Sequence, residues 1–438
     1  MTIKPRHTLF KLTGLLCCTS LVSLGFSISH AAGFALIEQG VSGLGNAYAG
    51  AAASAEDAST VFFNPAGMTL LDGQQVVAGL HLIKPSTKFT DNGSSAGGGN
   101  GGDAGKLGLI PNVYYVADIG NDMKFGLGIG VPFGLSTEYD ADWQGRYQAV
   151  TSSVEAININ PSLAFKINPQ WSIGLGANVQ YFKAELTSAV DFGSLGLGSP
   201  QDPATDGFAD ITGSSWGFGY NLGVLFSPSE ATRIGLAYRS QVKQSLDGDA
   251  DFTLSAGAML SPQLVAAFAD TGISGSIDLP STLSLSLFHQ FNNTWALLAD
   301  VTRTGWSSYQ ELRIEYDSGL PSSVEENEWE DNNRYSIGVN FTPNQTWIYR
   351  AGVAYDETAV PSAELRSARI PGNDRTWLAL GLSYQMSKNL AVDVGYAHLF
   401  VKDADINRNH PVGATNNLLR GSYESSVDIL SAQIAWSL

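Results

Sequence analysis

Apolar and polar residues alternate with a period of two along most of the chain. Between residues 74 and 438, one side of each alternating run is apolar, and the other carries Gly, Ser, Asn and charged residues. Successive side chains of a β-strand point to opposite faces, so this period predicts strands with one apolar and one polar face. Clear runs of this kind are 171–181, 216–226, 347–356 and 390–400.

Short polar turns and long loops alternate between the predicted strands. The short turns lie at 120–122, 168–170, 228–230, 292–294, 343–345 and 387–389. The longer segments are 91–106, 140–149, 191–213, 247–277, 318–331, 359–373 and 405–421. Together they connect about 14 antiparallel strands, with all short turns at one edge of the sheet and all long loops at the other. In an outer-membrane barrel these edges are the periplasmic side and the outside. Within the fourth long segment, 256–268 is expected to form a short helix at the loop-side opening of such a barrel.

The polar faces of these strands distinguish a membrane barrel from a soluble sandwich. They carry mid-strand charges at Arg233, Arg239, Asp300, Arg334, Arg350, Asp356 and Asp393. Such charges are costly in a small core unless they are paired, whereas a polar lumen hydrates them. Tryptophans at strand ends are typical of the aromatic girdles of membrane barrels; they are Trp171, Trp216, Trp295, Trp347 and Trp377. The sequence therefore predicts an all-β fold, a membrane-spanning antiparallel β-barrel of about 14 strands.

The first 31 residues have the pattern of a signal peptide. Lys4, Arg6 and Lys11 precede an apolar stretch, 12–26, and Ser29-His30-Ala31 is a small-x-small cleavage site. No later stretch approaches about 18 consecutive apolar residues, so no transmembrane helix is expected. We predict three parts: the signal peptide at 1–31, an N-terminal hatch at 32–73 inside the lumen, and the transmembrane barrel at 74–438.

The hatch differs in pattern from the strands that follow it. The stretch 33–71 is rich in Ala, Gly and Ser and does not alternate, which suits a compact segment packed inside another structure. Asn64-Pro65-Ala66, followed by Gly67, has the chemistry of a tight turn. The alternative is a disordered linker. The apolar residues of this stretch argue against disorder; they are Leu36, Ile37, Leu44, Tyr48, Val61, Phe62 and Phe63.

Charge and motif content exclude several classes of function. The net charge is −17 and becomes −20 once the three cations of the signal peptide are removed, so nucleic acid is not an expected partner. Both cysteines lie in the signal peptide, and three histidines on different predicted strands lack metal-ligand spacing. The glycine run 97–102 lacks the Lys-Ser/Thr of a phosphate loop, and no Gly-x-Ser-x-Gly motif is present. No enzyme activity, cofactor or metal site is expected.

The third predicted strand, 123–139, is interrupted at Pro132-Phe133-Gly134. A proline cannot donate to the β-ladder, and the nearby glycine permits a bend. The alternative is a proline at the upper rim of the barrel, where strand pairing is ending.

Nine short motifs follow one another along the chain. They are Ala32-Gly33-Phe34, Ser42-Gly43-Leu44-Gly45 with Ala47-Tyr48-Ala49-Gly50, Asn64-Pro65-Ala66, Trp216-Gly217-Phe218-Gly219, 238–243, Trp306-Ser307, 356–361 and Val392-Asp393-Val394-Gly395. In this order they resemble the FadL-type outer-membrane transporters of long-chain fatty acids and other hydrophobic compounds. The resemblance spans the mature chain.

The resemblance implies a 14-stranded barrel closed by a hatch that moves near residues 64–66. It implies that the kink at 132–134 opens the wall sideways to the lipid. It also implies that Phe34 plugs the pocket floor and that Lys183 and Arg313 bind the ligand head group. Strict alternation, however, turns both cations outward, so a bulge or a position above the bilayer is required; otherwise both are surface cations.

The expected function is passive uptake of long-chain fatty acids by a monomeric, multi-pass protein of the bacterial outer membrane. Its expected partners are these or other hydrophobic small molecules and the lipid of the outer membrane. One alternative is uptake of monoaromatic hydrocarbons or other neutral hydrophobic compounds. A general water-filled porin is an alternative of another class.

Overall fold

A computed structural model describes residues 33–120, 122–412 and 415–438. The predicted signal peptide, 1–31, lies outside these ranges. Within them, no helix combines the length and the hydropathy that crossing a bilayer requires.

Nineteen β-segments form one closed antiparallel sheet. They are β1 Gln75–Asp91, β2 Gly108–Gly120, β3 Met123–Glu138, β4 Thr151–Lys166, β5 Trp171–Val190, β6 Gly207–Ser229, β7 Thr232–Arg239, β8 Val242–Thr253, β9 Thr271–Leu279, β10 Thr282–Gln290, β11 Trp295–Thr304, β12 Glu311–Tyr316, β13 Ser323–Glu326, β14 Asn332–Phe341, β15 Trp347–Asp356, β16 Arg375–Ser387, β17 Leu390–Val401, β18 Ala404–Val412 and β19 Thr415–Ser437.

Five pairs of segments continue one another across short breaks, so the sheet has 14 barrel strands. The pairs are β7 with β8, β9 with β10, β11 with β12, β13 with β14, and β17 with β18. The barrel closes where β1 pairs with both β2 and β19. This confirms the all-β barrel of about 14 strands.

The short turns connect strands where they were predicted, but four predicted loops are partly strand, and two of these, 191–213 and 318–331, overlap β6 and β13. The segment 405–421 is mostly a hairpin of β18 and β19, paired from Ala404↔Tyr423 to Val412↔Thr415. The segment 247–277 loses both ends to β8 and β9, which pair with each other. An apolar cluster stabilises the first hairpin, because Ile406, Leu419 and Tyr423 are buried together in it. Between β8 and β9 lie a 3₁₀ turn, Ala258–Leu260, and helix α4, Pro262–Ala267.

The two faces of the wall follow the predicted alternation. Large apolar side chains are exposed on the outside, among them Leu175, Phe218, Leu285, Ile337 and Leu380. Trp171, Trp216 and Trp295 are also exposed there, as a girdle requires.

The girdle position predicted for Trp377 is wrong. Its side chain is buried and packs edge-on against Tyr48 in the lumen. The reason is parity, because the outward positions of β16 are taken by Leu378 and Leu380.

Residues 33–71 run through the lumen as short turns of helix joined by irregular backbone. The elements are α1 Val41–Leu44, α2 Ala51–Ser54, α3 Thr60–Phe63 and a 3₁₀ turn at Pro65–Leu70. Small residues on both sides allow a close approach: a Cβ on Gly352 of the wall would lie 2.2 Å from the carbonyl oxygen of Asn46. Charged side chains of the wall bind this segment, since Arg239 donates to the Phe62 carbonyl and Arg334 to that of Ala47.

Candidate functional site

The barrel wall parts between its second and third strands. β2 and β3 pair from Gly120↔Met123 up to Val113↔Ile129 and then separate. Above this point β2 stays paired with β1. The other edge of β3 continues along β4, with one extra residue of β3 between Gly130 and Phe133. Pro132 lies in this bulge, where its missing N–H costs no ladder hydrogen bond.

The start of the hatch occupies the gap. The backbone N–H of Leu36 donates to the Pro132 carbonyl at 2.8 Å, and that of Gly134 donates to the Phe34 carbonyl at 3.0 Å. Ala35 lies opposite Phe133 as in an antiparallel ladder. Residues 34–36 therefore take the place that β2 leaves vacant beside β3.

A cavity of about 860 Å³ lies behind this gap. Its lining includes lumenal residues such as Phe34 and Trp377. It also includes Leu107, Leu109 and Ile129, whose side chains are exposed on the outer surface of the barrel. Residues of both faces of the wall therefore line this one cavity beside the gap.

Phe34 is held in an aromatic cage. Its ring centroid lies 5.1 Å from that of Trp306, 5.9 Å from Phe133, 6.1 Å from Tyr309 and 6.2 Å from Trp329. These separations are typical of favourable aromatic pairs. The cage joins the hatch to β3, to the segment before β12 and to the segment after β13.

A second, smaller cavity of about 50 Å³ lies on the other side of Phe34. Phe34 lines both cavities. The walls of the second are mostly apolar and include Leu135, Val154, Phe182, Leu246, Ile277 and Leu312, and three charged residues, Arg313, Glu325 and Arg369, also line it. In this conformation the space holds one or two water-sized groups, since a water occupies about 30 Å³. The ring of Phe34 thus separates a nearly filled pocket from the larger cavity behind the gap.

Asn64-Pro65-Ala66 forms a buried turn against the wall. The side-chain amide of Asn64 donates to the carbonyls of Ala52, at 2.7 Å, and Val224, at 3.1 Å, while its oxygen accepts from the Ala66 N–H. Gly223 of β6 leaves the room, because a Cβ there would lie 1.9 Å from the Asn64 oxygen. The turn therefore fastens the lower part of the hatch to the barrel.

Ion pairs and buried amides also anchor the hatch at its periplasmic end. Glu56 lies 2.5 Å from a guanidinium nitrogen of Arg350, and Asp57 accepts from Gln433 at 2.8 Å. Arg350 also faces Asp393 of β17, at 3.4 Å. This side of the lumen is polar, in contrast to the cavities around Phe34.

Of the two predicted head-group residues, Arg313 is part of the lining of the second cavity, whereas Lys183 lines neither cavity. Both side chains are exposed on the outer face, and Arg313 pairs with Glu311 of its own strand at 2.7 Å. The bulge that would turn Lys183 inward is absent, since β5 pairs with β6 residue for residue from Trp171 to Val190. Strict alternation decides the direction of both side chains.

Sequence reasoning missed the partners of Phe34 and the role of the backbone beside it. Trp329 lies in a stretch predicted only as loop, and its aromatic character was the available signal. The pairing of Ala35 with Phe133 had no local signal. Among the described residues, no group of three or more His, Cys, Asp or Glu side chains is arranged to hold a metal ion.

Comparisons with known proteins agree with this architecture. A family model described as outer membrane protein transport protein (OMPP1/FadL/TodX) matches residues 22–437. The long-chain fatty acid transport protein of Escherichia coli O6:H1 is 32% identical over 416 residues, covering 90% of this chain and 92% of that protein. Outer membrane protein P1 of Haemophilus influenzae is 32% identical over 441 residues, covering 92% and 93%.

Solved structures share the fold. A Pseudomonas aeruginosa FadL homologue superposes with a TM-score of 0.85 at 24% identity, covering 93% of this chain and 100% of that one. The Pseudomonas putida toluene transporter TodX superposes with a TM-score of 0.64 at 18% identity, covering 87% and 94%.

Proposed function

Since the chain belongs to the OMPP1/FadL/TodX family of outer-membrane transport proteins, we propose that it takes up long-chain fatty acids passively. The protein is an integral, multi-pass β-barrel of the outer membrane. The relative from E. coli O6:H1 is named for the transport of long-chain fatty acids. Uptake into lipid requires no energy source, because each buried CH₂ contributes about 0.8 kcal/mol.

The cavity behind the gap, which residues of both faces of the wall line, is the observation that carries this proposal. A ligand captured at the loops enters the apolar pocket above Phe34. Withdrawal of Phe34 joins this pocket to the larger cavity, and the ligand leaves between β2 and β3 into the lipid. The side chains along this route, such as Leu109 and Ile129, are apolar.

The polar periplasmic end of the lumen favours sideways exit over exit through the hatch. A ligand moving downward would have to separate Arg350 from Glu56 and Asp393, all largely buried. Breaking a buried ion pair costs about 3–5 kcal/mol. Exit through the gap beside β3 requires only that residues 34–36 break two backbone hydrogen bonds and that Phe34 leaves its aromatic cage.

We predict that a disulfide between Ala35→Cys and Phe133→Cys abolishes uptake. The two residues form a non-hydrogen-bonded antiparallel pair, whose Cα atoms lie about 4.5 Å apart, within the range for a disulfide. The bond would hold residues 34–36 in the gap. Uptake of a labelled long-chain fatty acid by cells producing the variant is measured with and without a reductant.

Each single cysteine variant is the control, because it lacks Ala35 or Phe133 but cannot form the bond. The sequence has no cysteine outside its predicted signal peptide. Uptake that is restored by the reductant supports the gate. Full uptake by the oxidised double variant would contradict sideways exit past residues 34–36.

Uptake of monoaromatic hydrocarbons is the second candidate, and the cage around Phe34 favours it. Four aromatic rings surround one phenyl ring, and a ligand ring of that size fits where Phe34 now lies. Competition of toluene with a fatty acid for the purified protein separates the two candidates. Strong binding of toluene with none of the fatty acid would favour the aromatic class.

A further inference from the structure

A third cavity lies at the periplasmic end of the barrel, between the hatch and the short turns. Its volume is about 380 Å³, which is within the range of small-molecule sites. Its lining includes residues 54–57 of the hatch, the turn at 292–294 and inner-wall positions of several strands. The uptake route proposed above leaves the barrel beside β3, so the fatty acid does not pass through this cavity.

Arg233, at the start of β7, lines this cavity and lacks a bonded partner. Its guanidinium carbon lies 4.0 Å from the centre of the Phe288 ring, in a cation–π contact. Its Nε is buried and has no hydrogen-bond partner. Within the described ranges, no side chain or carbonyl accepts a hydrogen bond from this guanidinium, and no acid forms an ion pair with it. Its N–H donors are therefore free to bind a ligand.

The acids of the cavity are bonded to other groups. They are Glu56, Asp57 and Asp393. Both oxygens of each carboxylate accept a hydrogen bond, and the donors are the side chains of Ser42, Asn340, Arg350, Ser383 and Gln433 and the backbone N–H of Ser59. The charged group of the cavity that is left without a bond is therefore Arg233, and the ligand that matches it is an anion.

We propose that Arg233 binds a small oxyanion of the periplasm in this cavity, that is, a molecule with a carboxylate or phosphate group. The planar guanidinium matches such a group with two parallel N–H···O bonds. The ring of Phe288 holds the guanidinium in place, which reduces the side-chain entropy lost on binding. Gln290 and Asn293 line the same cavity, and their side-chain amides are additional donors.

The hatch faces the proposed site through Glu56. This carboxylate interacts electrostatically with Arg233, although its hydrogen bonds go to Arg350 and Asn340. A bound anion adds a second negative charge near Arg233 and is repelled by Glu56. Glu56→Gln is therefore expected to tighten anion binding about two- to fivefold.

The test uses fluorine NMR of the purified protein in detergent. Trifluoroacetate is the carboxylate probe, monofluorophosphate is the phosphate probe, and trifluoroacetamide is the neutral probe. At least one anion is expected to bind more tightly than the amide, and the tighter anion identifies the class of the ligand. Arg233→Gln is expected to weaken this binding about tenfold or more, because hydrogen bonds to a charged group are lost.

Arg303→Gln is the matched control. It removes the same charge at an exposed position that does not line the cavity, so it should leave anion binding unchanged. The heat-dependent shift of a folded barrel on an electrophoresis gel checks that each variant assembles. If Arg233→Gln does not assemble, Arg233→Lys gives the same comparison, because it keeps the charge but loses the paired hydrogen bonds.

The outcomes decide the site independently of the proposed function. Loss of anion binding in Arg233→Gln, with binding retained in Arg303→Gln, supports the site. The site is overturned if the unsubstituted protein binds neither anion more tightly than the amide. It is also overturned if the assembled Arg233 variant binds the anions as tightly as the unsubstituted protein does. Uptake of long-chain fatty acids, measured separately, tests the proposed function.

Discussion

Glu38 is a carboxylic acid buried in the hatch near the barrel wall. Burial raises its pKa from the usual 4.5 to about 7, although Arg375 and Arg334 oppose the shift. The docked hatch therefore holds a proton that a solvated hatch would release above pH 4.5. By linkage, the contribution of protonated Glu38 to the stability of the docked hatch is fully present below pH 4.5 and is lost as the pH rises through about 7.

We predict that the start of the hatch is less firmly docked in alkaline solution than in mildly acidic solution. Hydrogen exchange of residues 33–44 should be faster, relative to intrinsic rates, at about pH 8.5 than at about pH 5.5. Glu38→Gln should remove this dependence, because the amide does not titrate. Glu311→Gln, an exposed position on the outer face, should keep it. Equal protection of the original protein at both pH values would contradict the role of Glu38.

At the scale of elements, β3 has one residue more than β4 between two successive pairs of the ladder, Gly130↔Asn158 and Phe133↔Ala156. Val131 and Pro132 together oppose the single residue Ile157. The bulge turns the edge of β3 away from β2, and residues 34–36 satisfy its backbone groups instead. The hatch and the wall are thus one hydrogen-bonded unit at this point.

Deletion of Pro132 is predicted to restore continuous pairing between β3 and β4 and to abolish uptake. The barrel should still assemble, which the heat-dependent shift of a folded barrel on an electrophoresis gel reports. Pro132→Ala is the matched variant, since it retains the extra residue and should retain uptake. Normal uptake by the assembled deletion variant would show that the bulge is not required.

At the scale of the whole molecule, the hatch fills the barrel because glycines of the wall face it. A Cβ on Gly235 would lie 1.9 Å from the Ala52 carbonyl oxygen, and one on Gly352 would lie 2.2 Å from that of Asn46. An open, water-filled lumen of the porin type is incompatible with this packing. The charges of the inner wall serve partly to bind the hatch.

Gly235→Val combined with Gly352→Val is therefore predicted to displace the hatch. Each clash with backbone atoms exceeds ordinary overpacking, which costs about 1–3 kcal/mol. The conductance of single barrels in a planar bilayer should rise from a small or intermittent value to a steady, large one. Gly97→Val lies in a loop, where an added Cβ would meet no heavy atom within 4 Å, so this variant should leave conductance unchanged. A large steady conductance of the unsubstituted protein would instead favour a porin.

Local patterns were sufficient for much of the fold but not for the ligand site. Asn64-Pro65 was predicted as a tight turn, and it forms one because its constraints lie within the turn itself. Trp377 was placed on the outside from its position near a strand end, but the parity of β16 turns it inward. Lys183 was assigned to the pocket by resemblance, and the unbroken register of β5 with β6 keeps it outside.

The sequence by itself determined the period of two, the positions of the turns and the small-residue character of the hatch, because each is a property of neighbouring residues. Only the tertiary structure decided what meets inside the barrel. Phe34 finds its cage on segments about 100 to 300 residues away, and Arg369 reaches Glu325 and the ends of β4 and β5. Such contacts depend on closure and register, and a shift of one residue would reverse every side chain.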